Sequence, residues 1–117
     1  MTVLTGIIAA LREGGKPFLA TDRDALLPLA HSLLPGCGVL AAALEVGSGR
    51  APEVIGKPSA TFFQTALERL GSQPEETVMM GDSIEADIAG GQAAGVDTML
   101  LLSGRSTIRD VTPITPT

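Results

Sequence analysis

The chain has 117 residues, enough for one domain at most, and its 44% hydrophobic and 18% charged content excludes wholesale disorder. A formal net charge of −5 with eight scattered basic residues leaves no footprint for a nucleic-acid backbone, and three Phe with no Trp or Tyr offer little for bases to stack on. The single cysteine, Cys37, excludes an internal disulfide and a thiolate metal pair, which fits a reducing, cytoplasmic setting. The short apolar run from Gly6 to Leu11 has no basic region before it, as a secretory signal would require. The longest apolar region, Ala25 to Val46, is interrupted by Pro28, His31, Pro35, Gly36 and Gly38, short of the roughly 20 uninterrupted apolar residues of a membrane span. Neither nucleic acid nor membrane is expected as a partner.

Leu4, Ile7, Ile8 and Leu11 recur at helical spacing, and Gly14-Gly15 stops the pattern, so a helix is expected over Thr2 to Glu13. Phe18 to Thr21 reads as a short buried strand, followed by polar turn residues at Asp22-Arg23-Asp24. Between Ala25 and Pro35 the two prolines argue for a loop or one helical turn despite the many leucines. Val39, Leu40, Ala43 and Leu44 mark a second helix that ends near Gly47-Ser48-Gly49. Glu53-Val54-Ile55 is a short strand. Pro58 at a first helical position then introduces an amphipathic helix carrying Phe62, Phe63, Ala66, Leu67 and Leu70, closed by Gly71.

Val78 to Met80 is a short apolar run that stops at Gly81, and Ser83 is a good N-cap for a helix through Ile84, Ile88 and the Gln92 region. Gly90-Gly91 costs that helix on the order of 1 kcal/mol per glycine against alanine, which close packing on a sheet would offset. Gly95 ends the helix, Asp97 to Leu102 is the clearest strand, and the Thr- and Pro-rich tail from Ser106 has the composition of a loosely ordered segment.

Two strand-to-helix junctions carry the unusual polar residues: Gly56-Lys57-Pro58, and Gly81-Asp82 through Asp87. Lys57 and Asp82 are 25 positions apart with one βα unit between them. If the two strands are parallel neighbours, both junctions fall on one rim and Lys57 can approach Asp82. That rim is the ligand crevice of a parallel α/β sheet, and hard oxygen ligands there suit Mg²⁺, which usually takes one or two carboxylates plus substrate phosphate. A lysine beside such carboxylates suits phosphoryl chemistry, since it offsets phosphoryl charge from one side while the metal does so from the other. Taken separately, two acids at a helix start answer to the helix dipole, Lys57 is a solvated charge, and Pro58 merely opens a helix. His31 between leucines reads as structural or exposed, Cys37 as a small buried residue, and Arg50, Arg105 and Arg109 as solvated.

At these residues the sequence resembles the haloacid dehalogenase-like hydrolase superfamily. The carrying segments are Gly56-Lys57-Pro58-Ser59, Phe62-Phe63, Ala66-Leu67, Gly81-Asp82 to Asp87, Ala94-Gly95 and Leu102-Ser103-Gly104. They resemble the branch with a large α/β cap, whose members are phosphatases of nitrophenyl phosphate, nucleotides, glycerol phosphate or phosphoglycolate. Thr21-Asp22-Arg23-Asp24 and Leu34-Pro35-Gly36-Cys37-Gly38 are similar to two segments of that cap. The resemblance runs from about Thr2 to Arg105. It implies an α/β fold: a partial Rossmann-like parallel sheet of the catalytic core, with the latter part of the cap in residues 1–55, core in 56–105 and a tail in 106–117. It further implies that Lys57 stabilises the nucleophile and the transferring phosphoryl group, that Asp82 ligates Mg²⁺, and that Asp87 supports the metal shell or orients Lys57. Asp24 matches the cap aspartate, whereas Asp22 stands where the family has Asn near the substrate.

The family's Asp-x-Asp-Gly nucleophile motif, and the Ser or Thr after its second strand, do not occur before the cap-like segments. The chain thus resembles the C-terminal half of such an enzyme, and the family's final strand and helix find no counterpart in the tail. The expected function is that of a Mg²⁺-dependent phosphatase of small phosphomonoesters by descent, using an aspartyl-phosphate intermediate in the complete architecture. One alternative is a non-catalytic remnant or partner subunit that retains the fold. Another is a minimal phosphatase in which Asp22 of Asp22-Arg23-Asp24 is the nucleophile. An incomplete sheet leaves apolar surface to cover, so self-association or docking to the missing half is expected.

Overall fold

The apolar spacing of Leu4, Ile7, Ile8 and Leu11 winds into α1 (Thr2–Glu13), and Gly14 and Gly15, both with positive φ, end it. The structure is a computed structural model that describes residues 2–104 and 106–111. Arg105 and the Thr112 to Thr117 part of the expected tail lie outside the described residues. Within the fold two compact units separate at Ile55/Gly56, Met1–Ile55 and Gly56–Thr117.

In the first unit, β1 (Leu19–Ala20) pairs in parallel with β4 (Glu53–Val54). Between them in sequence lie β2 (Leu26–Pro28), β3 (Leu33–Pro35) and α2 (Cys37–Ser48). α1 packs on α2 at Gly47, where a Cβ would stand 2.5 Å from Ile8 Cδ1. Two guanidinium groups tie the helices together, with Arg12 donating to Gly47 O at 3.4 Å and Arg50 to Leu11 O at 3.1 Å. Arg50 is therefore a half-buried structural donor rather than a solvated charge. Leu11, Ala20 and Ala41 form the small core of this unit.

The segment Ala25 to Pro35 departs from the expected loop or helical turn. β2 and β3 form an antiparallel hairpin with Leu27 opposite Leu34, closed by Leu29 N–H on Ser32 O at 2.8 Å. The prolines are compatible with it because both strands of a two-stranded ribbon are edges, and an edge residue need not donate to the ladder. His31 sits exposed in its turn, as the reading of a structural or exposed histidine allows.

The second unit opens with α3 (Ala60–Leu70), whose N-cap is Ser59, the hydroxyl accepting from Thr61 N–H at 3.3 Å. Pro58 is consequently not a first helical residue but lies before the cap, joined to Lys57 by a cis peptide. Gly71 closes the helix at φ 63°, a left-handed value that L side chains resist. A short 3₁₀ turn, Pro74–Glu76, leads into β5 (Val78–Gly81). Ser83 then caps a π-helical turn, Ile84–Ala89, that continues as α4 (Gly90–Ala93). β6 (Asp97–Leu100) lies parallel to β5, from Val78 opposite Asp97 to Gly81 opposite Leu100. A 3₁₀ turn, Ile108–Asp110, with a Thr107–Asp110 capping box gives local order to the start of the tail.

The glycine pair behaves as its position demands. A Cβ on Gly90 would lie 2.8 Å from Phe63 Cε2 and 3.1 Å from Pro58 Cα, and one on Gly91 2.8 Å from Thr98 Cγ2. α4 thus approaches α3 and the sheet more closely than any larger residue permits. Phe63, Ile88, Val96 and Thr98 fill the resulting core. The strands nearest the two polar junctions do not pair with each other: β4 is bonded to β1 and β5 to β6. The conditional route by which Lys57 was to meet Asp82, through adjacent strands, is not the one the fold takes. The class itself is as expected, mixed α/β with parallel strands.

Candidate active site

The carboxyl ends of β5 and β6 form the rim on which the site is built. β5 ends on a glycine, Gly81, and the space above its α-carbon is filled by the Asp87 side chain: a Cβ there would collide with the Asp87 carboxylate. Ser83, with its hydroxyl accepting from Ala86 N–H at 3.1 Å, starts the following turn. Both Asp87 N–H and Ile88 N–H then reach Ser83 O, at 2.9 and 3.2 Å, and the longer loop is the i to i+5 bond of a π turn. This widened turn carries Asp87 back over the rim.

Asp87 is buried, its side chain only 4% exposed, and both of its oxygens are engaged. Lys57 Nζ donates to Oδ1 at 2.6 Å, and Ser83 N–H donates to Oδ2 at 3.0 Å. Lys57 is 36% exposed at its side chain, so its ammonium has one side fixed and another accessible to water. The Phe62 ring lies 6.0 Å from Nζ, at the outer reach of a cation–π contact. Of the two expected partners it is therefore Asp87, not Asp82, that holds Lys57.

Asp82 begins the same turn, half-exposed. The chain after β6 folds over it: Leu101 N–H bonds Gly81 O at 2.8 Å, and Ser106 N–H bonds Asp82 O at 3.0 Å. The Ser106 hydroxyl accepts from Ile84 N–H at 3.2 Å. Gly104 passes so near the Asp82 side chain that a Cβ would collide with its carboxylate. The half-exposed Asp82 carboxylate at the strand end is a hard oxygen donor of the kind Mg²⁺ takes, and the buried Asp87 carboxylate is bonded on both oxygens. Among the described residues no group of three His, Cys, Asp or Glu converges on a metal position. Asp82 would therefore fit an ion that takes a single protein carboxylate, as Mg²⁺ often does.

Asp22 and Asp24 belong to the first unit. Asp22 Oδ1 accepts Asp24 N–H at 3.0 Å, an Asx turn, and Oδ2 lies 3.2 Å from the Thr21 hydroxyl. Both acids thus sit in the turn that follows β1, where Gly38 N–H also bonds Asp24 O at 2.9 Å. Cys37, expected to be buried, is half-exposed on the first turn of α2 because the glycines on either side of it are the residues pressed against the Arg23 and Asp24 backbone. The Thr21 hydroxyl, 3.4 Å from Sγ, and then the Asp22 backbone hold its thiol below the ordinary value of 9.0.

Three contributors were not read from the sequence: the Ser83 N–H on Asp87, the Phe62 ring beside Lys57, and Gly104 against Asp82. Only Gly104 carried a signal, as the turn glycine after the last strand. The backbone donor has no side-chain signature, and Phe62 reads in the sequence as one of the apolar positions of its helix.

A family model described as HAD-hydrolase-like matches residues 54–117. Mouse chronophin is 44% identical over 108 residues, which are 92% of this chain and 37% of that protein. Ribonucleotide monophosphatase NagD of Escherichia coli K12 is 40% identical over 97 residues, 83% of this chain and 38% of NagD. The structure of glycerol phosphate phosphatase Rv1692 from Mycobacterium tuberculosis, in complex with magnesium, superposes with a TM-score of 0.86 at 31% identity over 99% of this chain and 34% of that one. The chain therefore spans little more than a third of the length of the relatives it matches. The residue pattern, the fold and these likenesses agree, and the chain belongs to the haloacid dehalogenase-like hydrolases, in the branch that includes NagD.

Proposed function

We propose that this chain supplies the lysine and metal-aspartate side of a Mg²⁺-dependent phosphatase site acting on small phosphomonoesters in the cytoplasm. The observation that carries the reading is the Lys57–Asp87 ion pair at 2.6 Å on the turn that Asp82 begins. Relatives whose names state a phosphatase or nucleotidase activity, such as NagD, YutF of Bacillus subtilis and the acid sugar phosphatase of Staphylococcus aureus, support the reaction class. Asp82 is the residue that would hold the ion, which when bound would offset charge on the phosphate oxygens. Lys57, steadied by Asp87, presents its open side to an anionic oxygen and stabilises charge there. Asp87 keeps the ammonium in place, while Ser83 N–H keeps Asp87 in place.

The nucleophile is not among these groups, since no Asp-x-Asp-Gly occurs in the sequence. Asp22 is tied into a turn by its own carboxylate, which disfavours the minimal-enzyme alternative. In this reading a further polypeptide segment, from docking of the other half or from self-association, completes the site. The sheet supports it: Val78, Met80 and Met99 on one face of β5 and β6 are each at least half exposed, an apolar surface of the kind a partner covers. The remaining alternative is a non-catalytic subunit that keeps the fold.

The test uses the purified chain with nitrophenyl phosphate and Mg²⁺, followed by NMR titration. The expected result is no turnover, with Mg²⁺ shifting the amides of Gly81 to Ser83 in the wild type but not in Asp82→Asn, and inorganic phosphate shifting Lys57. Turnover abolished by Asp22→Asn would establish the minimal enzyme instead. No response to either ion would leave the non-catalytic reading.

A further inference from the structure

We infer that Phe62 is a positioning residue for Lys57, its ring acting as a second support that aims the ammonium at an anionic oxygen. The inference rests on the phosphate-site reading of Lys57. A lysine has four side-chain torsions, and one ion pair at Asp87 fixes the end of the chain without fixing the direction of its remaining N–H donors. The ring face can do so, because it attracts the cation electrostatically without occupying a donor.

The ring is itself held. Phe62 and Phe63 are neighbours on the first turn of α3, with centroids 5.3 Å apart and planes at 82°, an edge-to-face pair. Phe63 is buried to 4% exposure, and its ring stands where only a glycine at position 90 leaves room. The order of support therefore runs from the bare α-carbon of Gly90, to the Phe63 ring, to the Phe62 ring, to the Lys57 ammonium. Asp87, three residues before Gly90 on the same continuous turn, holds the ammonium by its ion pair. Lys57 thus has an ion-pair partner and a ring neighbour in one packed assembly, and the part of its 36% exposed side chain that faces water is where an anion is met.

Phe62 is 38% exposed, so its hydrophobic role in the core is minor and Phe62→Leu is compatible with folding. The full-length chain, isotope-labelled, is compared as wild type, Phe62→Leu and Phe62→Tyr. The measurements are the order parameter of the Lys57 Cε methylene and its titration with inorganic phosphate. The expected result is a lower Lys57 order parameter and about two- to fivefold weaker phosphate binding in Phe62→Leu, with both restored in Phe62→Tyr. Backbone amides of α3 stay unchanged in all three, which separates positioning from a general loosening of the helix. An unchanged order parameter in Phe62→Leu, or unchanged phosphate affinity despite a mobile lysine, overturns the inference. If phosphate fails to shift Lys57 in the wild type, the phosphate-site reading falls, and the order parameter alone still decides whether the ring holds the lysine.

Discussion

Removing the two partners of the Lys57–Asp87 pair one at a time should have unequal costs. Replacing Lys57 by Met leaves a carboxylate that is 4% exposed with only the Ser83 N–H, at 3.0 Å, as a remaining donor. Breaking a buried pair in this way typically costs about 3 to 5 kcal/mol, and the retained hydrogen bond puts the expected loss at about 2 to 4 kcal/mol. In Asp87→Asn the orphan is an ammonium whose side chain is 36% exposed and can be hydrated, while the amide oxygen still accepts from Ser83. The expected loss there is about 1 to 2 kcal/mol. Urea unfolding followed by circular dichroism measures both, with the slope against denaturant unchanged if only the folded state is affected. The double variant Lys57→Met with Asp87→Leu should recover part of the loss, because no buried charge remains. An Asp87→Asn variant less stable than Lys57→Met, or losses below about 0.5 kcal/mol in both, would refute the account of a buried anion held by a half-exposed cation.

Gly104→Ala should leave stability within about 1 kcal/mol of wild type, since Gly104 is exposed, yet weaken the Mg²⁺ response at Asp82 by displacing the carboxylate it would strike; an undiminished response counts against that packing. Gly90→Ala should destabilise by about 1 to 2 kcal/mol in urea unfolding, as overpacking against Phe63 and the Pro58 backbone exceeds the roughly 1 kcal/mol gained in helix propensity. The thiol of Cys37, lowered chiefly by the Thr21 hydroxyl, should be alkylated by iodoacetamide with a pH profile displaced below 9.0, and Thr21→Val should move that profile up. Because the folded-state value is depressed, the associated stabilisation is present above the ordinary thiol value and lost as pH falls through the folded one.

What the sequence made legible was punctuation. The period of Leu4 to Leu11 with Gly14-Gly15 after it gave the bounds of α1, and Gly71 and the Gly90-Gly91 pair read correctly as a stop and a close approach, because glycine geometry is a local property. Prolines were less informative. Pro28 and Pro35 read as breakers, an argument that holds for central strands and not for a two-stranded hairpin, and Pro58 reads as a first helical residue because proline is favoured there, whereas Ser59 caps the helix after it. Pairing partners are non-local, so nothing near Glu53 or Val78 announced that β4 joins β1 and β5 joins β6. At the site, Lys57, Asp82 and Asp87 were identifiable as residues, while the widened turn at Ile84–Ala89 that turns Asp87 toward Lys57 leaves no periodic trace over six residues.

Among the described residues β5 and β6 make a two-stranded sheet, so each strand offers one backbone edge for further strands to hydrogen-bond. A strand added in parallel beside β5 would lie about 4.8 Å from it, and if it stopped level with Gly81 its next residue would stand abreast of Asp82. If that residue is acidic, register by itself would set two carboxylates side by side on the rim, without any side chain of the added strand having to be steered by packing.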